Sequence, residues 1–317
     1  MPSYYNSHVE SAELKIRRRS FQTEIARALR AYFGARKIEC QTLYSDRQHG
    51  ISGAYPRFLV GRHAAIAVDP EESAAVINGI MRTALLWTPL VRRPMTVVVP
   101  HGRHQTLAAR LRVMQKVRET IDWLTWNGET LQHMQSETAD PETRVRQFVP
   151  RGPHAADPQI DPDSAYGERW LQSKLIGEIR RVIPSIDTRH IYPQVPSFVG
   201  GERNIIDLLS VTDDGRLVVI EIKASPDADL PFQALDYWIA VERHRKAGDF
   251  LPKGYFDGTK LKDEPTLLVL LAPLLEYHKT ASRLIALVPK EVPLLEIGIN
   301  QAWKQEIKVL RRKGMVS

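Results

Sequence analysis

Apolar residues fall into two kinds of run along this chain. Some recur every three or four positions, as Leu171, Leu175, Ile179 and Val182 do within 165–183, the stripe of an amphipathic helix. Others are short and nearly unbroken, as in Leu217-Val218-Val219-Ile220, and these read as strands covered on both faces. Extended over the second half, the two patterns predict a helix at 165–183, a strand at 189–196, strands at 203–212 and 216–224, a helix at 229–247, a strand at 265–272, a helix at 277–287 and a strand at 294–299. The first half reads as helix 11–33, strands 37–44 and 57–68, helix 71–86, strand 95–100, helix 105–123 and strand 124–131. Between the halves, Asp140-Pro141, Pro150, Gly152-Pro153, Asp157-Pro158 and Asp161-Pro162 interrupt both periodicities. An α/β protein of two domains is therefore expected, 1–137 and 165–317, joined by a linker at 138–164.

Composition adds limits. With 317 residues and 43% hydrophobic content the chain can fill two cores. Its single cysteine, Cys40, excludes an internal disulfide and a cysteine-based zinc cluster, and its place in a predicted strand suggests a buried structural thiol. Apolar runs such as 266–275 are too short to span a bilayer, and Met1 to Tyr5 lacks a signal-peptide core, so a cytoplasmic protein without membrane attachment is expected. Residues 1–150 hold 21 Lys+Arg against 14 Asp+Glu, and residues 151–317 hold 23 of each, so the net +7 belongs to the first half. Such a module suits a polyanion, and Arg17, Arg18, Arg19 and Arg103 are candidate phosphate contacts; a solvated basic face is the alternative. The terminal Arg311-Arg312-Lys313 reads as a solvated tail.

The chemistry concentrates in the hairpin predicted around Asp213-Asp214-Gly215. With Asp214 at its apex, Asp207 and Glu221 face each other across the ladder and Lys223 shares their side. Two opposed acids beside apolar neighbours are costly unless a cation offsets them. Hard oxygen ligands of this kind suit Mg²⁺ or Mn²⁺, and Lys223 would orient an attacking water or stabilise phosphate charge. The alternative is a solvated strand end on which Lys223 screens two acids.

An acid, about a dozen residues and then Glu221-Ile222-Lys223 resemble the motif of the PD-(D/E)xK, or restriction-endonuclease-like, nucleases. Glu168 lies on the apolar face of the preceding helix, where that family places a further metal-binding acid. Gln233 and Tyr237, four residues apart on the next helix, are similar to the Gln-x-x-x-Tyr motif of the RecB-like branch. The predicted element order matches the family's αβββαβ core; Ile206 stands where the name has proline. The resemblance implies a restriction-endonuclease-like fold with a mixed sheet flanked by helices. It also implies a Mg²⁺-dependent nuclease acting on nucleic acid, DNA first. Asp207, Glu221, Glu168 and the Ile222 carbonyl would bind the metal; Lys223, Gln233 and Tyr237 would serve catalysis. Because many relatives act as dimers, a homodimer is compatible with it. The other readings are a nuclease acting on RNA and a non-catalytic nucleic-acid-binding protein on the same fold.

The first half runs through a parallel order of elements, yet its matching strand ends Ala67-Val68-Asp69-Pro70, without a lysine or an identifiable cross-strand acid. A degenerate copy of the second half, kept for binding, and an unrelated α/β domain both fit that pattern.

Overall fold

The computed structural model describes residues 12–41, 51–135, 167–199 and 202–314. The expected linker at 138–164 and the end of the strand expected at 37–44 lie outside the described residues. The chain is mixed α/β and divides by its packing into two units, each built on one six-stranded sheet. The first comprises the described residues through His104 and Arg118–Gln135; the second comprises Gln105–Val117 and the described residues from 167 onward.

The first unit contains α1 (Ala12–Tyr32), β1 (Ile38–Gln41), β2 (Arg57–Val60), β3 (His63–Ala67), α2 (Ala74–Val91), β4 (Met95–Pro100), then, after α3 (Gln105–Val113) and α4 (Gln115–Thr120), β5 (Ile121–Trp126) and β6 (Leu131–His133). The second contains α5 (Gly167–Gly177), α6 (Ile179–Val182), β7 (Ile186–Val199), β8 (Glu202–Thr212), β9 (Leu217–Ile222), α7 (Leu230–Ala247), β10 (Leu267–Pro273), α8 (Ala281–Ile285), β11 (Leu294–Ile299) and β12 (Val309–Gly314). Strands in both sheets lie in chain order. Both have the same directions: the first three antiparallel, the third, fourth and fifth parallel, and the sixth antiparallel to the fifth.

In the second unit Leu208, Val218, Ile220 and Ile222 join Leu171, Leu175 and Ile179 in one core on the α5 side. The opposite face of β9 and β10 is covered by α7. Burial on both faces explains why β9 and β10 read as unbroken apolar runs. Pro231 opens α7, and Gly248, at φ 71°, closes it in the left-handed region with Arg245 and His244 carbonyls accepting its N–H. Two bonds pin α7 to the start of β10: Trp238 Nε1 donates to the Thr266 carbonyl at 2.8 Å, and Thr266 N donates to Glu242 Oε1 at 2.7 Å. Arg110 on α3 binds Asp236 on α7 through two 2.8 Å hydrogen bonds, both residues being buried.

Several sequence-based expectations are corrected. The strand expected at 57–68 is a hairpin, because Gly61, at φ 57°, reverses the chain between β2 and β3. The helix expected at 105–123 ends at Thr120, since Ile121 to Trp126 are drawn into the sheet as parallel partners of Met95 to Pro100. The helix expected at 277–287 is only Ala281–Ile285: Tyr277 OH donates to the carbonyls of Leu270 and Ile297 at 2.8 and 3.0 Å, holding the chain against the sheet. Arg311, Arg312 and Lys313 are not a tail but part of β12, where Arg311 pairs with Glu296 at 2.8 Å and Arg312 donates to the Val182 carbonyl at 3.0 Å. Cys40 is exposed, because β1 is an edge strand. The helix expected at 71–86 is present as α2, shifted to Ala74–Val91; its 18 residues are long and apolar enough to cross a membrane by length and composition, yet Ile77, Ile80, Met81 and Ala84 are buried and the helix packs on β3 and β4.

Removing one partner of a buried ion pair strands the other, at a cost of about 3–5 kcal/mol, whereas an apolar pair of similar size is tolerated. Arg110→Met should therefore destabilise the chain by roughly that amount in urea unfolding, and Arg110→Met with Asp236→Leu should recover most of the loss.

Candidate functional site

The site lies where the parallel strands β9 and β10 end, the edge at which open α/β sheets commonly bind ligands. Its carboxylates are placed by register. Leu209 pairs with Val219 and Leu208 with Ile220, and the next positions in the two strands are Asp207 and Glu221. There the regular ladder stops, and the Asp207 side chain closes the gap, its Oδ2 accepting a 2.8 Å bond from Ile222 N. On the other side of β8, Leu208 pairs with Pro193 and Ile206 with Val195, so Gln194 stands opposite Asp207. Gln194 has φ 54°, a strained conformation for a residue with a Cβ.

Glu221 is 1% exposed and its Oε2 has no hydrogen-bond partner. Lys223 Nζ lies 3.1 Å from Glu221 Oε1, 3.7 Å from Glu168 Oε1 and 3.9 Å from Asp227 Oδ2. Gln233 and Tyr237 lie one turn apart on α7, Gln233 Nε2 donating to Tyr237 OH at 3.0 Å. The expected residues Asp207, Glu221, Lys223 and Glu168 thus converge, and Tyr237 is near enough for Glu221 to act on its titration.

Sequence reasoning missed three neighbours. Asp227 joins the acids around Lys223. Gln172, one turn after Glu168, donates from Nε2 to the Asp207 carbonyl and accepts at Oε1 from Gln194 Nε2 at 3.0 Å. The position of Gln172 four residues after Glu168 is a signal that a reading of α5 can use; Gln194 carries none, since its backbone conformation is set by the strand pairing.

Electrostatics follow from burial. Desolvation pushes Asp207 up to about 6, only partly offset by the Ile222 amide and Lys223. Desolvation, then the neighbouring Asp207 charge, pushes Glu221 well above the usual carboxylate range. For Lys223, desolvation is overcome by Glu221, Glu168 and Asp207, so its ammonium form is favoured. Desolvation and the charge of Glu221 raise Tyr237 and keep its phenol protonated. Among the described residues, no group of three or more His, Cys, Asp or Glu side chains forms a ready-made metal cage. The donor set that exists is smaller, two carboxylates with one orphaned buried oxygen, and this fits a hard cation that retains water ligands.

The phosphate-contact candidates are placed differently. Arg17 Nε binds Asp69 Oδ2 at 3.0 Å, Arg18 Nε binds Glu72 Oε1 at 2.8 Å, and Arg103 Nη1 donates to the Glu72 carbonyl at 2.9 Å. Arg19 is exposed on α1.

In comparisons with known proteins, no family model and no curated protein matches this chain.

A carboxyl whose pKa is higher folded than unfolded favours the fold while protonated, and that advantage fades as pH rises from about 4 through about 6. Asp207→Asn, which keeps the group neutral, should therefore raise cation-free stability at pH 8 by about 1–3 kcal/mol and leave it unchanged near pH 4. Thermal unfolding across pH 4–8 checks this; a stabilisation greatest at pH 4 would contradict it.

Proposed function

We propose that the C-terminal unit is a metal-dependent nuclease of the PD-(D/E)xK type, hydrolysing phosphodiester bonds in nucleic acid, with DNA as the leading substrate. One observation carries the reading: Glu221, buried with Oε2 unpartnered, lies beside Asp207 and under Lys223. A site used only for binding phosphate gains nothing from two acids facing the polyanion. Two adjacent buried carboxylates with a single ammonium partner carry an excess of negative charge that a divalent cation would offset.

Asp207 and Glu221 would hold Mg²⁺ or Mn²⁺, with the Ile222 carbonyl and Glu168 completing the set. When bound, the cation would supply Lewis-acid stabilisation of phosphate charge and a more acidic water. Lys223 acts here as a donor and not as a base, because its three acidic neighbours keep it protonated. It would orient the attacking water and share negative charge on the phosphate. Tyr237, kept neutral and held by Gln233, would donate its O–H to the scissile strand. The excess of Lys and Arg over Asp and Glu in residues 1–150 favours a polyanionic partner. A non-catalytic nucleic-acid-binding role is favoured by one contact, the direct Lys223–Glu221 pair, in which an ammonium already supplies the counter-charge.

The two readings separate in one assay. Wild type and Lys223→Ala are incubated with Mg²⁺ or Mn²⁺ on single-stranded, duplex and branched DNA and on RNA. The expected outcome is chelator-sensitive cleavage by wild type and a loss of about 10²-fold or more in the variant. Binding without cleavage by wild type would select the non-catalytic role.

A further inference from the structure

The two sheets share more than strand order; the registers of their second to fifth strands correspond residue by residue. In the first unit Ala67 pairs with Val98, Val98 with Leu124 and Pro100 with Trp126. In the second, Ile222 pairs with Leu271, Leu271 with Ile297 and Pro273 with Ile299. The hydrogen bond that ends each inner strand is also shared: Val68 N donates to Val98 O at 3.2 Å, and Lys223 N donates to Leu271 O at 2.9 Å. Laid over one another by these pairings, the two cores superimpose in sequence logic. Phe21, Ile25 and Leu29 on α1 take the places of Leu171, Leu175 and Ile179, and Phe58, Ala65 and Ala67 those of Leu208, Ile220 and Ile222.

The same correspondence identifies what stands at each position of the candidate site. Arg57, paired with Ile66, takes the place of Asp207 opposite Glu221. Val68 replaces Lys223. Arg18, three residues before Phe21, replaces Glu168, three residues before Leu171. Asp207, Glu221 and Glu168 have thus become arginine or isoleucine, while Asp227, four residues after Lys223, corresponds to Glu72, four residues after Val68, which is still an acid. Arg57 is buried and its guanidinium lies 5.8 Å from the Trp87 ring centre on α2. Beyond β3, the polarity is reversed as well: Arg17 contacts Asp69 and Glu72, each at 3.0 Å, and Arg18 contacts Glu72 at 2.8 Å, with both acids buried.

We infer that the N-terminal unit is a second copy of the C-terminal architecture whose cation site has been replaced by an arginine–carboxylate lock, so that of the two described units one carries a cation site and the other is non-catalytic. The lock joins α1 to the segment after β3 and thereby covers, in the first unit's own sheet, the edge that corresponds to the site-bearing edge of the second unit's sheet. Asp69 and Glu72 have their charges neutralised by Arg17 and Arg18 and are not available to a metal. The single-cation-site half of this inference rests on the nuclease reading; the lock does not.

Two measurements on the full chain test it. Mn²⁺ binding is followed by electron paramagnetic resonance for wild type, Asp207→Asn/Glu221→Gln and Asp69→Asn/Glu72→Gln. The expected result is one class of site, lost in the first double variant and kept in the second. A site that survives the first and disappears in the second would overturn the inference. If wild type binds no Mn²⁺, the nuclease reading fails, and the lock is judged by the second measurement alone. There, Arg17→Gln/Arg18→Gln is expected to lower the melting temperature by several degrees while nucleic-acid affinity at fixed salt stays within about twofold of wild type. A fall in affinity of about tenfold or more at unchanged melting temperature would mean that these arginines face phosphate, and the lock would be refuted. If that variant does not fold, the Mn²⁺ titration decides.

Discussion

A carboxyl group almost wholly removed from water, set beside a second one at the end of a β-ribbon, is the constraint around which the C-terminal unit is arranged. Glu221 cannot move away, because β9 is hydrogen-bonded between β8 and β10 and covered on both faces. Asp207 cannot move away either, because its side chain substitutes for the missing ladder bond to Ile222. The cost of holding two acids there is reduced by Lys223, whose ammonium lies 3.1 Å from Glu221, and by the Ile222 amide that donates to Asp207, but one oxygen of Glu221 remains without a partner. Burying an ionisable group with an unsatisfied oxygen is costly in either protonation state, and such features concentrate where chemistry or binding occurs.

The surrounding structure supports this constraint from three directions. From α5, Gln172 reaches the Asp207 carbonyl and is itself held by Gln194, which adopts a left-handed backbone opposite Asp207. From α7, Gln233 and Tyr237 are carried on a helix fixed to Thr266 by Trp238 and Glu242, and to α3 by the Arg110–Asp236 pair. From the turn after β8, Gly215 at φ 93° brings the backbone so close to Lys260 that a Cβ would lie 2.1 Å from its carbonyl oxygen. Displacements of α5 or α7 would be transmitted to the acids, since packed interiors deform little.

Much of this was legible in the residues. The apolar runs of β9 and β10, the stripe of α5 and the Asp-Asp-Gly turn give the hairpin register directly, and the register alone brings Asp207, Glu221 and Lys223 together. What escaped is what depends on distant parts of the chain. Gly61 reads as one residue within a long strand until its φ makes it a turn, and only then does Arg57 face Ile66. Ile121 to Trp126 follow a helical pattern at their start but are claimed by pairing with β4, so tertiary contact overrides local preference. The arginines of α1 read as a basic face, because the acids that bind them, Asp69 and Glu72, lie some fifty residues away. Likewise Gln194 and Asp227 have no motif of their own, and only strand pairing and loop position bring them to the site.

Uptake of a divalent cation by the Asp207–Glu221 pair is the decisive property of the C-terminal unit. Crystals of the full chain grown or soaked with Mn²⁺ and measured at the manganese absorption edge answer this directly. The account predicts one anomalous peak per C-terminal unit, about 2.0–2.3 Å from an oxygen of Asp207 and one of Glu221, with the remaining positions filled largely by water. No peak there at saturating Mn²⁺, with Lys223 still bonded to Glu221, would contradict it.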